Sequence, residues 1–229
     1  MRSPGASHRS GAGARRATRH RPCRNASPPT LPVGVDTSLT YAVRGGERVL
    51  MATYIESVSL TPEGYLIVGR NVRPNGAVLT LDSLVVARGT LAPVSHTDTT
   101  PTGRTRVRFA AGRMRGTTDS GGRSTAIDSA VPAGLYDYSM ASRLVNLLPL
   151  RVGYSAVVPT YDIHRGPQSN RLTVLADEDL DVRGSPAPAW KIEIDYGRFK
   201  ATRWIHRDTR KDLRTVVNAG GMEMVVEYR

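Results

Sequence analysis

The sequence predicts a mainly β protein: a strongly curved antiparallel sheet, in effect a half-open β-barrel, of about ten to twelve strands with one covering α-helix near 137–148. Three observations predict it. Polar and apolar residues alternate with a period of two from Asp36 onward, glycine-rich turns punctuate the alternation, and only one stretch has helical spacing. Leu39, Tyr41 and Val43 alternate with Thr40, Ala42 and Arg44 before Gly45-Gly46 turns the chain, and a long strand follows from Glu47 to about Leu60. Pro62-Glu63-Gly64 turns it again, Tyr65 to Val72 runs back, and Asn75-Gly76 supplies the positive φ of a tight hairpin. Ala77 to Ala87 is the next strand; shorter ones cover Ala92 to His96, Arg104 to Phe109, Arg113 to Thr117 and Arg123 to Asp128.

Met140, Leu144, Leu147 and Leu148 fall at i, i+4, i+7 and i+8 and so share one face of a helix. Asp137 or Ser139 can cap its start, and Pro149 stops it at Leu148. Strands resume at Tyr154–Ile163, Leu172–Val182, Trp190–Tyr196, Phe199–His206, Leu213–Val217 and Met222–Tyr228. Trp190, Ile192, Ile194 and Tyr196 oppose Lys191, Glu193 and Asp195; Met222, Met224, Val226 and Tyr228 oppose Glu223 and Glu227. Such regularity describes a sheet with one dry and one wet side, whose dry side the helix or the sheet itself must cover.

The chain has 229 residues and a net charge of +12. Residues 1–34 hold seven arginines and no acid, leaving +5 for 35–229, so the basic balance belongs mostly to a Gly/Ala/Ser/Pro/Arg-rich tail with little to bury. We read 1–34 as a disordered tail and 35–229 as a single antiparallel β domain. As written, that tail lacks the apolar run of an export signal. No stretch reaches the ~18 consecutive apolar residues of a membrane span, and Cys23 is the only cysteine.

Catalytic templates are missing: no nucleophile elbow, His-Glu-x-x-His helix or phosphate loop occurs. The sequence therefore predicts no enzyme, no cofactor and no metal. The acidic run Asp177, Glu178, Asp179 and Asp181 fails the calcium-loop template, since Val182 and Pro188 stand where glycine and glutamate are needed. His8, His20, His96, His164 and His206 lack metal-ligand spacing and read as isolated surface residues. Arg104, Arg106 and Arg108, with Arg113 and Arg115 past the turn, form a basic ribbon that could lie on phosphates. Opposite them Thr105, Val107 and Phe109 point inward, and the favoured reading is the solvent face of a hairpin, with nucleic acid an unfavoured partner.

Two stretches carry a resemblance. Tyr136 to Pro159 is an amphipathic helix ending in Leu148-Pro149-Leu150 that runs through Gly153-Tyr154 into a strand. Ala189-Trp190-Lys191 through Tyr196-Gly197 leads to Ala201-Thr202-Arg203-Trp204-Ile205 and Asp208-Thr209-Arg210-Lys211-Asp212-Leu213. Both resemble bacterial cell-envelope domains of unknown function grouped with the outer-membrane lipoprotein carriers. The resemblance implies a periplasmic or envelope location, a half-open barrel capped by helices, and a lipid or lipidated protein as partner. On that reading Tyr54, Tyr65, Leu144, Leu148, Tyr154, Trp190, Tyr196 and Trp204 are the candidates to line a hollow for an apolar ligand. The rival reading fills the hollow with the protein's own side chains and leaves a structural or protein-interaction module.

Overall fold

The structure is a computed structural model and describes residues 29–229; the arginine-rich stretch and Cys23 lie within residues 1–28, outside the described residues. The first eight strands are β1 (Gly34–Arg44), β2 (Glu47–Leu60), β3 (Tyr65–Val72), β4 (Val78–Val86), β5 (Pro93–Thr100), β6 (Gly103–Ala110), β7 (Arg113–Ser120) and β8 (Arg123–Ala130). A two-residue strand, β9 (Tyr136–Asp137), precedes a 3-10 turn (Tyr138–Met140) and helix α1 (Ala141–Asn146). The remaining strands are β10 (Ser155–Asp162), β11 (Gly166–Val182), β12 (Ser185–Asp195), β13 (Lys200–His206), β14 (Asp212–Ala219) and β15 (Met222–Tyr228).

All fifteen strands join one open sheet, ordered β8-β7-β6-β5-β4-β3-β2-β1-β15-β14-β13-β12-β11-β10-β9. Two meanders are thus sutured by the antiparallel β1–β15 ladder, where Ser38 faces Tyr228 and Val43 faces Glu223. β8 and β9 form the two edges. The expected ten to twelve strands fall short of fifteen, although the segments read along the sequence number fourteen. The one missing from them is β9, whose parallel pairing with β10 over two residues leaves no period to read.

Although the sheet is open, its two meanders share one core. Val58, Ile67, Leu84 and Val86 from the first pack in a single cluster with Val158, Leu172, Val174, Ile192, Ile194 and Ile205 from the second. Between them sit Met140, Leu144 and Val145 of the helical segment, so the short helix covers the inner face as the periodicity predicts. A smaller cluster joins Val107 and Met114 to Tyr161 and Ile163, with Phe109 packed beside them. Gly116 permits one tight approach within this region: a Cβ there would stand 1.8 Å from the Arg106 carbonyl oxygen of the neighbouring strand. Leu31, three residues ahead of β1, is also buried in the main cluster.

Two expectations are corrected. The helix does not span 137–148: a 3-10 turn capped by Asp137 gives way to only six α-helical residues, and Leu147 is 39% exposed. The chain leaves the helix early because Leu147 and Leu148 turn back on Leu144 and Val145 with i→i−3 bonds ahead of Pro149. The wet face is also drier than alternation implies. Val225 is buried opposite the half-buried Met222, Met224 and Val226, because Arg48 and Arg214 lie across that side and pair with Glu227.

Charge, as well as grease, fixes the helix. Arg203 of β13 is 2% exposed, yet it faces the core beside Ile192. Its guanidinium binds the Asp212 carboxylate, through Nε at 2.6 Å, and donates from Nη1 to the Ser142 carbonyl in α1 at 2.9 Å. Asp212 also accepts from Asn146 Nδ2 at 3.3 Å, and Arg210 donates to the Leu148 carbonyl at 3.4 Å. A buried pair is destabilising when one member is lost, because the other stays buried and uncompensated. Urea denaturation of Arg203→Met should therefore show a loss of about 3–5 kcal/mol, and adding Asp212→Leu should recover part of it.

Candidate functional site

Two cavities, each of about 330 Å³, lie on the inner side and meet at Tyr54 and Ser139, which line both. The first opens between the segment Leu31–Ser38, helix α1 and the turn Thr209–Asp212 that joins β13 to β14. Its floor is polar. Arg143 of α1 donates through Nε to Glu56 Oε1 at 2.8 Å and lies 3.5 Å from Asp36. Tyr54 donates its hydroxyl to Glu56 Oε2 at 3.1 Å. Burial, then the neighbouring Glu56 carboxylate, pushes the Tyr54 phenol far up, so it stays a donor. The rim mixes exposed Val33, Val35 and Leu147 with Arg210 and Lys211.

The second cavity is acidic. Strand register explains why: Asp36 faces Glu56, Glu56 faces Gly69, Gly69 faces Asp82, and Asp82 faces Asp98. One transverse row across β1 to β5 therefore carries four carboxylates on the inner side. Gly69 is the gap in it, occupied by the Tyr54 ring; a Cβ there would meet the Tyr54 hydroxyl at 2.2 Å. Like charges directly opposite on one face repel. Two histidines relieve Asp82 and Asp98. His164, in the β10–β11 turn, places Nε2 2.9 Å from Asp98 Oδ2. His96 of β5 places Nδ1 2.9 Å from Asp137 Oδ2, and its Nε2 stands 3.7 Å from Asp82 Oδ1.

His96 corrects the expectation that the histidines are surface residues: its side chain is 5% exposed. Burial opposes its charge, but the carboxylates of Asp137 and Asp82 outweigh it and lift the imidazole up to about 10. Asp137 is doubly engaged, since its Oδ1 also caps the 3-10 turn by accepting from Ser139 N at 2.9 Å. His96–Asp137 and Asp98–His164 thus tie β5 of one meander to β9 and the β10–β11 turn of the other. Asp82 and Asp98 were not singled out from sequence, and His96 was read only as a surface residue. One signal was available: Asp82 has the parity of Leu84 and Val86, a charge in the dry register of its strand.

The eight lining candidates scatter. Tyr54 lines both cavities. Tyr65 and Leu144 are core residues, and Leu148, Tyr154, Trp190 and Tyr196 pack half-buried against the same cluster. Trp204 lies on the outer side, where its Nε1 donates to Glu178 at 2.8 Å and Lys191 stands over its ring. The structure therefore does not bring the eight together around one hollow. The acidic run is ion-paired as well, through Asp177 to Arg207 and Glu178 to Lys191. In the basic ribbon, Thr105 and Val107 are buried and Phe109 is half-buried, while Arg104, Arg106 and Arg108 are exposed. Arg106 pairs with Asp119, and Arg113 and Arg115 with Asp128, which leaves less free positive charge than the sequence suggests. Among the described residues no helix is long and apolar enough to cross a membrane.

A histidine whose folded pKa is raised stabilises the fold fully below its unfolded value and loses that contribution as pH rises through the folded one. The contribution of His96 is thus complete below 6.5 and disappears as pH approaches about 10. Denaturant titrations across that window should show stability falling with pH, and His96→Gln should flatten this part of the profile.

Comparison with known proteins gives a family and no function. Compared with curated proteins, the chain finds no match. Among solved structures it is similar to the hypothetical lipoprotein YmcC from Escherichia coli, with 14% identity, a TM-score of 0.33, and coverage of 84% of this chain and 86% of that one. Residues 38–224, from the second half of β1 to the middle of β15, match a family described as protein of unknown function, DUF3108, and the chain belongs to that family.

Proposed function

We propose that the protein is a non-catalytic binding module of the cell envelope that holds an amphiphile, an acyl chain with an anionic head, in the cavity beside helix α1. One observation carries this reading. Val33, Val35 and Leu147 remain exposed at the rim of a preformed cavity where Arg210 and Lys211 also stand. Lys211 is an exposed cation that takes part in no ion pair among the described residues, so an anionic head would find a free counter-charge. The acyl chain would lie against Val33, Val35 and Leu147, each methylene taken from water contributing about 0.8 kcal/mol.

This places the ligand beside the helix and away from the centre of the sheet's hollow, which the protein's own apolar side chains occupy. A volume of about 330 Å³ is at the low end for ligand pockets, which suits part of a chain. The envelope location rests on the resemblance of residues 136–159 and 189–213 to the lipoprotein-carrier group. The filled core favours a second reading, a protein-interaction module with no ligand.

Titration of the folded protein with a fluorescent fatty acid should saturate. Leu147→Asp and Lys211→Glu should each weaken binding about tenfold, the equivalent of about 1.4 kcal/mol, without changing the thermal midpoint. Absence of saturation in folded protein would leave the interaction module standing.

A further inference from the structure

The second cavity does not enter the reading above. Asp82 lines it with a carboxylate that takes no side-chain hydrogen bond among the described residues, and its nearest cationic atom is His96 Nε2, 3.7 Å away. His96 Nε2 is itself buried without a hydrogen-bond partner. Its other ring nitrogen is taken by Asp137, so the imidazole cannot turn away to find one. A buried polar atom left without a partner is costly, and an oxygen seated in the cavity, off the line joining the two atoms, could reach both at hydrogen-bond distance. That oxygen must donate to a carboxylate and accept from an imidazole N–H. Water can do this, and so can the hydroxyl of a ligand.

The rest of the wall repeats the demand. Asp98 and Asp162 offer further carboxylate acceptors, Thr80 a hydroxyl and Tyr138 an aromatic ring. An anionic ligand would be repelled by the four carboxylates of Asp82, Asp98, Asp137 and Asp162. A cationic one would have to sit against His96, held between two of them as their counter-ion. No group of three or more His, Cys, Asp or Glu among the described residues is placed to hold a metal ion. A neutral ligand with several adjacent hydroxyls meets none of these objections.

We propose that the cavity bounded by Asp82, His96, Asp98, Tyr138, Asp162 and His164 is a carbohydrate site, in which one sugar hydroxyl bridges His96 Nε2 and Asp82 and its neighbours donate to Asp98 and Asp162. The sugar would enter from the side of His164, whose ring is half exposed. It would engage both meanders at once, since Asp82 and Asp98 belong to one and Asp162 and His164 to the other.

The test is saturation-transfer NMR on the full chain with N-acetylglucosamine, D-glucose and the β-1,4-linked tetramer of N-acetylglucosamine. n-Butylammonium and calcium chlorides serve as cationic arms. Saturable transfer from a sugar, weakened about tenfold or more in Asp82→Ala, is the expected result. Tighter binding of the tetramer than of the monomer would assign the site to a glycan, and equal binding to a free sugar. Asp82→Ala also removes one counter-charge of the buried His96 and should lower the thermal midpoint, so its spectra are recorded below its own midpoint, and Lys211→Glu should leave sugar binding unchanged whatever it does to the fatty acid. No saturable sugar signal, a sugar signal indifferent to Asp82→Ala, or saturation by the cations alone would each overturn the proposal.

Discussion

The guanidinium of Arg203 is the constraint on which the inner face depends. It lies within the apolar layer of β13, and the charge is held there by its raised affinity for the proton and by the Asp212 carboxylate. A charge so placed must be fully bonded or it unfolds its surroundings. Beyond Asp212, its Nη1 donates to a carbonyl of α1, which a six-residue helix can offer only from one position and one orientation. An isolated helix of that length would not persist in water. Here it is specified twice, by Met140, Leu144 and Val145 below and by Arg203, Arg143 and Asn146 around it.

The helix in turn defines both cavities. Arg143 neutralises the Asp36–Glu56 end of the acidic row, and the capped turn before α1 presents Asp137 to His96 at the other end. The two spaces are therefore compartments of one groove, divided by Tyr54 and Ser139, with an apolar and basic half and an acidic half. Gly69 makes the division possible by leaving its place to the Tyr54 ring. The strand register places the acidic wall of the second compartment, and helix α1 with the β13–β14 turn places much of the first.

Much of the architecture was legible because it is written locally. The parity of Ile192 and Ile194, the spacing from Met140 to Leu144 and the hairpin at Asn75-Gly76 each predict a feature within a few residues of themselves. The site was not, because it is written across strands. Asp82 meets Asp98 only through the β4–β5 register, and His96 meets Asp137 forty-one residues on. Trp204 misled for the opposite reason. An aromatic residue at strand spacing reads as core, whereas the parity of Arg203 and Ile205 puts it on the outer side with Glu178. A buried arginine is the least expected occupant of a dry register, and its presence reverses the reading of its neighbour.

The β1–β15 suture has a consequence for the way the chain must be made. It joins the first of the described strands to the last, so the ladder that unites the sheet cannot close until β15 has left the ribosome. Hairpins of the first meander can pair as they emerge, but β1 keeps one bare edge meanwhile, and Leu84 and Val86 lack the second meander they are buried against. Contacts so distant in sequence slow folding. A nascent chain of this topology therefore spends its synthesis with an open flank, the condition under which holding chaperones are needed.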